Sequence, residues 1–247
     1  MHFSEIIFTS KIEVMFRYKL FRFLLQLVQM SISSLTVYGR ENIPAHGPYL
    51  VVLNHVSVAD TPALLIGFPI VPWRFFAGEK WQEHWLFGPI MGTLGAIFID
   101  RDNITRHVLR EAQNALQEGA VFGLAPEGSR SQDGKMRLAK GGAAYLASRA
   151  NVPILPVGLI NMDHLFANRS WWQRTPLEIH VGQPFTLPDL GRRPKGKDLE
   201  AYSHLIMTQI AALVPDRYHG YYEGDPIIQA IRAGGDPWPL ILAAQND

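Results

Sequence analysis

Tyr49-Leu50-Val51-Val52-Leu53-Asn54-His55-Val56-Ser57-Val58-Ala59-Asp60-Thr61-Pro62 is the stretch that sets the architecture. Five apolar residues ending at Leu53 read as a fully buried strand. Pro62 at the head of the next apolar run, with Asp60 and Thr61 as caps, reads as a helix start. His55 then falls where a strand stops and Asp60 where a helix begins, in the kind of crevice where an open α/β sheet holds its ligands. A tight turn between them can fold the carboxylate back onto the imidazole. That contact would fix one ring nitrogen as a donor and leave the other free as a base. A satisfied histidine at a strand end with an acid at a helix cap is the competing reading.

Further strands follow the same pattern. Apolar runs at 35–39, 75–77, 95–99, 121–124, 152–157 and 177–181 alternate with helical stretches near 81–91, 105–116, 140–150 and 199–213. Strand, helix, strand in repetition predicts an α/β fold with an open, mixed but largely parallel sheet flanked by helices. The chain of 247 residues divides by composition into an N-terminal helical segment at 1–34, an α/β domain at 35–215 and a tail at 216–247 with no assigned role.

Hydrophobic residues make up 47% and charged ones only 18%, against about a quarter charged in ordinary soluble domains. The excess apolar surface asks for a partner. A net charge of +1 excludes wholesale nucleic-acid binding, and the lack of cysteine excludes disulfides, thiolate metal sites and thiol nucleophiles. His55 and Asp60 without a third ligand fall short of a metal site.

Residues 11–35 place Lys19, Arg22, Gln26 and Gln29 on one helical stripe and Phe16, Leu20, Phe23, Leu24, Leu27 and Val28 on a broad opposite arc. Lys11, Arg17, Lys19, Arg22 and Arg40 against Glu5 and Glu13 give this end a local charge of +3. Such a helix either packs on a core or lies in a bilayer interface. It is too often interrupted by polar residues for a span of about 20 apolar positions. The basic loop Gly191–Lys197 is a second candidate for anionic headgroups. From 67 to 92 the chain is dense in Trp and Phe, which suits a core, an interface belt or an acyl-chain groove.

The turn Ala125-Pro126-Glu127-Gly128-Ser129-Arg130-Ser131 follows a strand. Its backbone amides can converge on an anion that Arg130 clamps. The serine-hydrolase elbow, the Walker phosphate loop and the dinucleotide fingerprint are all missing from the sequence.

Taken in order, Asn54-His55-x4-Asp60, Gly95-x-Ile97-Phe98-Ile99-Asp100-Arg101, Pro126-Glu127-Gly128-Ser129-Arg130-Ser131 and Val152-Pro153-Ile154-x-Pro156-Val157 resemble the four blocks of the glycerolipid acyltransferases. The likeness is nearest to the 1-acylglycerol-3-phosphate acyltransferases and covers about residues 35–160. Ala125 stands where that family usually has Phe, and Ser129 where it usually has Thr.

The resemblance implies transfer of a fatty acyl group from a thioester, acyl-CoA or acyl carrier protein, to the free hydroxyl of 1-acylglycerol-3-phosphate. It casts His55 of the HX4D motif as general base and Asp60 as its orienting acid, with no bound cofactor. Asn54, Arg101, Glu127, Gly128, Ser129 and Arg130 would contact substrate, and Ser57 would serve the turn. It also implies phospholipid biosynthesis on the cytoplasmic face of a membrane, as a peripheral or monotopic protein. Another lysolipid acceptor, including a phosphate-free lyso-aminolipid, release of the acyl group to water, and a non-catalytic lipid-binding protein of the same fold are the alternatives.

Overall fold

The computed structural model describes residues 2–100, 105–165 and 174–244, and of residues 2–14 only the helical backbone. In chain order the elements are α1 (His2–Ile32), β1 (Ser33–Tyr38), β2 (Tyr49–Leu53), α2 (Asp60–Gly67), β3 (Trp73–Gly78), α3 (Phe87–Thr93), β4 (Ala96–Ile99), α4 (Arg106–Gln117) and β5 (Val121–Leu124). There follow α5 (Gly142–Ala150), β6 (Ile154–Ile160), β7 (Thr175–Val181), α6 (Lys197–Ala211), α7 (Pro226–Arg232) and α8 (Trp238–Ala244), with short 3₁₀ turns between.

The described strands form one sheet in the order β1-β7-β6-β2-β5-β3-β4. From β6 to β4 every pairing is parallel, while β7 lies antiparallel to β6 and carries β1 parallel to itself. The expected mixed, largely parallel sheet is therefore present. β2 sits centrally with every residue buried, the continuous apolar pattern of a strand covered on both faces. β7 instead alternates, with Leu177, Ile179 and Val181 inward and Glu178 and His180 toward solvent.

Two cores result. On one face Leu50, Val52, Phe122 and Ile154 meet α4, α5 and α6. On the other, Val51, Leu53, Val121 and Leu155 meet α1 through Tyr18 and α2 through Leu64 and Leu65. The chain order matters here. β2 leads through α2 to β3 and β4, and β5 then returns to insert between β2 and β3. The carboxyl ends of β2 and β5 thus lie side by side, with Val52 opposite Leu124, although they are far apart in sequence.

Helix α1 and the C-terminal tail both pack against the α/β domain. The polar stripe of α1 is divided: Lys19 and Gln26 are exposed, while Arg22 turns inward to donate from Nη2 to the Ile66 carbonyl at the end of α2, 3.0 Å, and Gln29 bonds Ser33. A last-turn carbonyl needs a donor, and this arginine supplies it. The apolar arc is exposed as well, with Phe16 64%, Phe23 56% and Val28 59% exposed. Packing on the core is excluded for that arc.

The tail, which carries no reading from the sequence, packs on α6. Asp225 caps α7 by accepting from Ile227 N, with Pro226 in the first turn, and Ile227 and Ile241 bury against Leu205 of α6. The basic loop at 191–197 lies beside the carboxyl end of α5, away from the end of the sheet where β2 and β5 finish. There Arg192 is held bidentately by Asp198, 2.6 and 2.8 Å.

Candidate active site

β2 ends at Leu53, and the chain turns sharply through residues 54–59 before α2 begins. Neither Asp60 nor Thr61 caps that helix: Ala59 occupies the cap position, and Asp60 is the first helical residue. Its side chain turns back over the turn. One oxygen, Oδ2, accepts from His55 Nδ1 at 2.7 Å, Val56 N at 2.9 Å and Ser57 N at 3.0 Å. The other, Oδ1, is buried and meets no donor among the described residues. A carboxylate at a helix N-terminus is further favoured by the helix dipole. Asp60 is 1% exposed, while the His55 side chain keeps 18% of its surface open.

With Nδ1 engaged, Nε2 of His55 has no protein partner among the described residues. Ser57 Oγ accepts from Ala59 N at 3.2 Å and so serves the turn.

The loop after β5 is tied to this turn from two sides. Ser131 N donates to His55 O at 2.8 Å, and His55 N donates to Glu127 Oε1 at 3.0 Å. Glu127 Oε2 accepts from Arg137 N at 2.9 Å. Glu127 is 3% exposed. Burial pushes its carboxyl above the usual glutamate range, and the two backbone donors from His55 and Arg137 oppose that push.

Several of the expected substrate contacts have partners within the protein. Both oxygens of Glu127 are taken up by backbone, so it braces the site from behind. Asn54 is fully buried, and its amide closes a two-way bond to Leu159 of β6, 3.0 Å from Nδ2 to the carbonyl and 2.7 Å from Leu159 N to Oδ1. It clamps β2 to β6 at the mouth of the site. Ser129 and Arg130 are half-buried in the turn and do not line the cavity beside His55. Arg101 lies outside the described residues.

That cavity encloses about 320 Å³, within the roughly 300–1,000 Å³ usual for ligand sites. His55, Asp60 and Gly128 stand on its lining with Leu53, Leu64, Leu65, Trp73, Phe75 and Leu124. Gly123 supplies no side chain there. A Cβ at that position would sit 3.3 Å from the Trp73 ring, so the glycine opens the space that the indole then closes. Ala125, one of the two departures from the family pattern, also lines it.

No sequence signal singles out Lys140 or Gly123, whereas Trp73 belongs to the aromatic-dense stretch at 67–92 that reads as a candidate acyl-chain groove. All three lie in regular elements or beside them, and only the return of β5 beside β2 brings them to the histidine.

The acyltransferase family's sequence model matches residues 34–160, just over half of the chain. The chain is 24% identical over 181 residues to the 1-acyl-sn-glycerol-3-phosphate acyltransferase of Bacillus subtilis, covering 72% of this chain and 86% of that one. It is 29% identical over 132 residues to the Borreliella burgdorferi protein of the same name, covering 53% of this chain and 52% of that one. Against the human 1-acyl-sn-glycerol-3-phosphate acyltransferase alpha it is 34% identical over 140 residues, covering 54% of this chain and 48% of the relative. It therefore spans about half the length of these last two.

Among solved structures it resembles the 1-acyl-sn-glycerophosphate (LPA) acyltransferase PlsC from Thermotoga maritima, with a TM-score of 0.60, 26% identity and coverage of 83% and 87% of the two chains. With a matching family model over its central sheet and the same fold in a solved relative, the chain belongs to the glycerolipid acyltransferase family and is an acyltransferase.

Proposed function

We propose that this enzyme carries a fatty acyl group from the thioester of coenzyme A or acyl carrier protein to the free hydroxyl of 1-acylglycerol-3-phosphate, giving phosphatidic acid. The observation that carries this reading is a histidine with one nitrogen held by a buried carboxylate and the other unpartnered among the described residues, standing on the wall of an apolar cavity.

An alcohol is a weak nucleophile at neutral pH, and general-base help is worth about 10²–10⁴ in rate. As the hydroxyl oxygen attacks the thioester carbon, its proton passes to Nε2 of His55. The resulting imidazolium stays paired with Asp60, whose unmatched second oxygen leaves that buried charge undercompensated until the ring is protonated. When the carbon–sulfur bond breaks, the ring returns the proton to the leaving thiolate. No acyl-enzyme is needed, in keeping with a chain that has no cysteine. The apolar lining from Leu53 to Trp73 suits the hydrocarbon tail of the donor.

The bilayer-resident acceptor gives the outer face of α1 a role. Among the described residues no helix is long and apolar enough to cross a membrane. An exposed arc of Phe16, Leu20, Phe23, Leu24, Leu27 and Val28 suits a peripheral helix in the headgroup region. A second reading, another lysolipid as acceptor, is favoured by one feature, the small Ala125 on the cavity wall.

The test is thiol release from an acyl thioester with and without lysophosphatidic acid. Release only with the acceptor supports the proposal. Equal release without it would identify a hydrolase, and no release in either case would overturn it.

A further inference from the structure

The cavity mouth carries one cation that the four family blocks do not contain. Lys140, just ahead of α5, lines the same cavity as His55 and Gly128. Its stem crosses the turn after β5 so closely that a Cβ at residue 128 would lie 2.9 Å from Lys140 Cδ and 3.3 Å from Cε. Gly128, at φ +73°, therefore meets two demands, a left-handed backbone and an open path for the lysine. No carboxylate pairs with Lys140 among the described residues, whereas Arg192 and Arg232, also on the surface, each have one.

The backbone around Lys140 is fixed from both sides. Lys140 N donates to Pro126 O at 2.8 Å. The preceding amide, Ala139 N, donates to Tyr222 Oη at 3.2 Å. Met136 exchanges bonds with the same C-terminal segment, its N donating to Tyr218 O at 2.8 Å and its O accepting from Tyr221 N at 3.0 Å. Gly220 is required for that approach, since a Cβ there would lie 2.4 Å from Met136 O. The segment from 218 to 222, outside the residues matched by the family model, thus holds the loop that presents the lysine.

We infer that Lys140 binds the phosphate of an incoming substrate at the mouth of the acyl cavity, with Tyr222 and its neighbours as positioning residues. An unpaired ammonium beside an apolar channel and a general base is placed to meet a substrate phosphate. That phosphate comes either from the acceptor headgroup or from the donor's phosphopantetheine arm. The assignment rests on the proposed acyl transfer for the identity of these two sources, and not for the binding itself.

The experiment measures equilibrium binding of a short-chain lysophosphatidic acid and, separately, of coenzyme A to the full chain and to Lys140→Gln and Lys140→Arg. A short-chain monoacylglycerol serves as the phosphate-free control. Lys140→Gln is expected to weaken one of the two phosphate ligands about tenfold or more and the monoacylglycerol less than twofold, with Lys140→Arg within about threefold of wild type. Loss confined to lysophosphatidic acid assigns the acceptor headgroup, and loss confined to coenzyme A assigns the donor. Unchanged affinity for both, or equal losses for the phosphate ligands and the monoacylglycerol, overturns the inference. Since no turnover is involved, the result stands apart from whether thiol release succeeds. As a second arm, Tyr222→Phe removes the hydroxyl that accepts from Ala139 N and is expected to weaken the same ligand as Lys140→Gln, by a smaller factor. A Tyr222→Phe loss on the other ligand alone would overturn the positioning role.

Discussion

Asp60→Asn separates the charge of the orienting acid from its geometry, because the structure dictates which way the new amide must point. Three N–H groups converge on Oδ2, while Oδ1 faces no donor among the described residues. An amide nitrogen among three donors would be repelled, so the asparagine oxygen takes the Oδ2 place and its NH2 the Oδ1 place. The turn and the tautomer of His55 are preserved, and what disappears is the negative charge. An imidazolium about 4 Å from a carboxylate gains about 4 kcal/mol at an effective dielectric constant of 20. At about 1.4 kcal/mol per factor of ten, full loss of that attraction slows the chemical step by up to about 10³.

Asp60→Ala is different, since it also strands the buried amides of Val56 and Ser57 at about 1–3 kcal/mol each, a large part of a typical stability of about 5–15 kcal/mol. The assay is kcat and KM for thioester-dependent acyl transfer beside a thermal melt. Asparagine is expected to lower kcat between about 10²- and 10³-fold with KM and Tm close to wild type, and alanine to lower Tm as well. A Tm-neutral Asp60→Asn enzyme retaining more than a tenth of the wild-type kcat would refute the account of Asp60 as the partner of a charged ring.

Ala125→Phe pushes a ring into the cavity beside His55 and is expected to shift preference toward shorter acyl donors by several-fold in kcat/KM. An unchanged donor profile would count against the cavity as the acyl site. Glu127→Gln removes one acceptor from the brace and is expected to lower kcat at least tenfold through displacement of His55. Burial holds the Glu127 carboxyl above its ordinary value near 4.3, so the protonated form is the one favoured by the fold. Its stability contribution is complete below the unfolded value and is lost as pH rises through the folded one. The Tm advantage of wild type over Glu127→Gln should therefore shrink with rising pH across that window, and an advantage that grew would mean the two backbone donors outweigh desolvation. Finally, Phe23→Glu with Leu27→Glu on the exposed arc of α1 should release the protein from anionic liposomes with little change in Tm, since exposed sites usually move stability by no more than about 0.5 kcal/mol. Full co-sedimentation of that variant would move the anchor elsewhere.

The central strands were legible because burial on both faces writes itself into the sequence as uninterrupted apolar runs, and Tyr49–Leu53, Val121–Leu124 and Ile154–Ile160 are of that kind. The pairing of His55 with Asp60 was legible because the whole motif lies in one turn. What could not be read is anything that depends on sheet order. Nothing local in Glu127 says that both of its oxygens face backbone, because the donors come from His55, 72 positions earlier, and from Arg137. Asn54 reads as a substrate contact by its place beside the histidine, yet its partner Leu159 is 105 positions away. For α1 periodicity gave a polar stripe and an apolar arc, but the side that turns inward is neither, carrying Tyr18, Phe21, Arg22 and Gln29. Arg22 is on that side because it donates to the Ile66 carbonyl at the end of α2.

The same network explains why the acyltransferase motifs stand at strand ends instead of within one loop. For His55 to act as the proposed base its ring must be held steady, and a six-residue turn fixed only by Asp60 would leave its backbone free to rock. The His55 peptide is gripped on both sides by the neighbouring loop, its N–H by Glu127 and its carbonyl by Ser131. That loop is in turn held through Arg137, Met136 and Ala139 by residues at 218–222. Each layer uses backbone groups that would otherwise face the interior unpaired, so satisfying them and positioning the ring are one requirement. The burial that raises the Glu127 carboxyl is then the energetic consequence of placing a brace where no water can substitute for it. A shift of the C-terminal segment should accordingly reach His55 through three hydrogen-bonded steps, without altering a single residue of the family motifs.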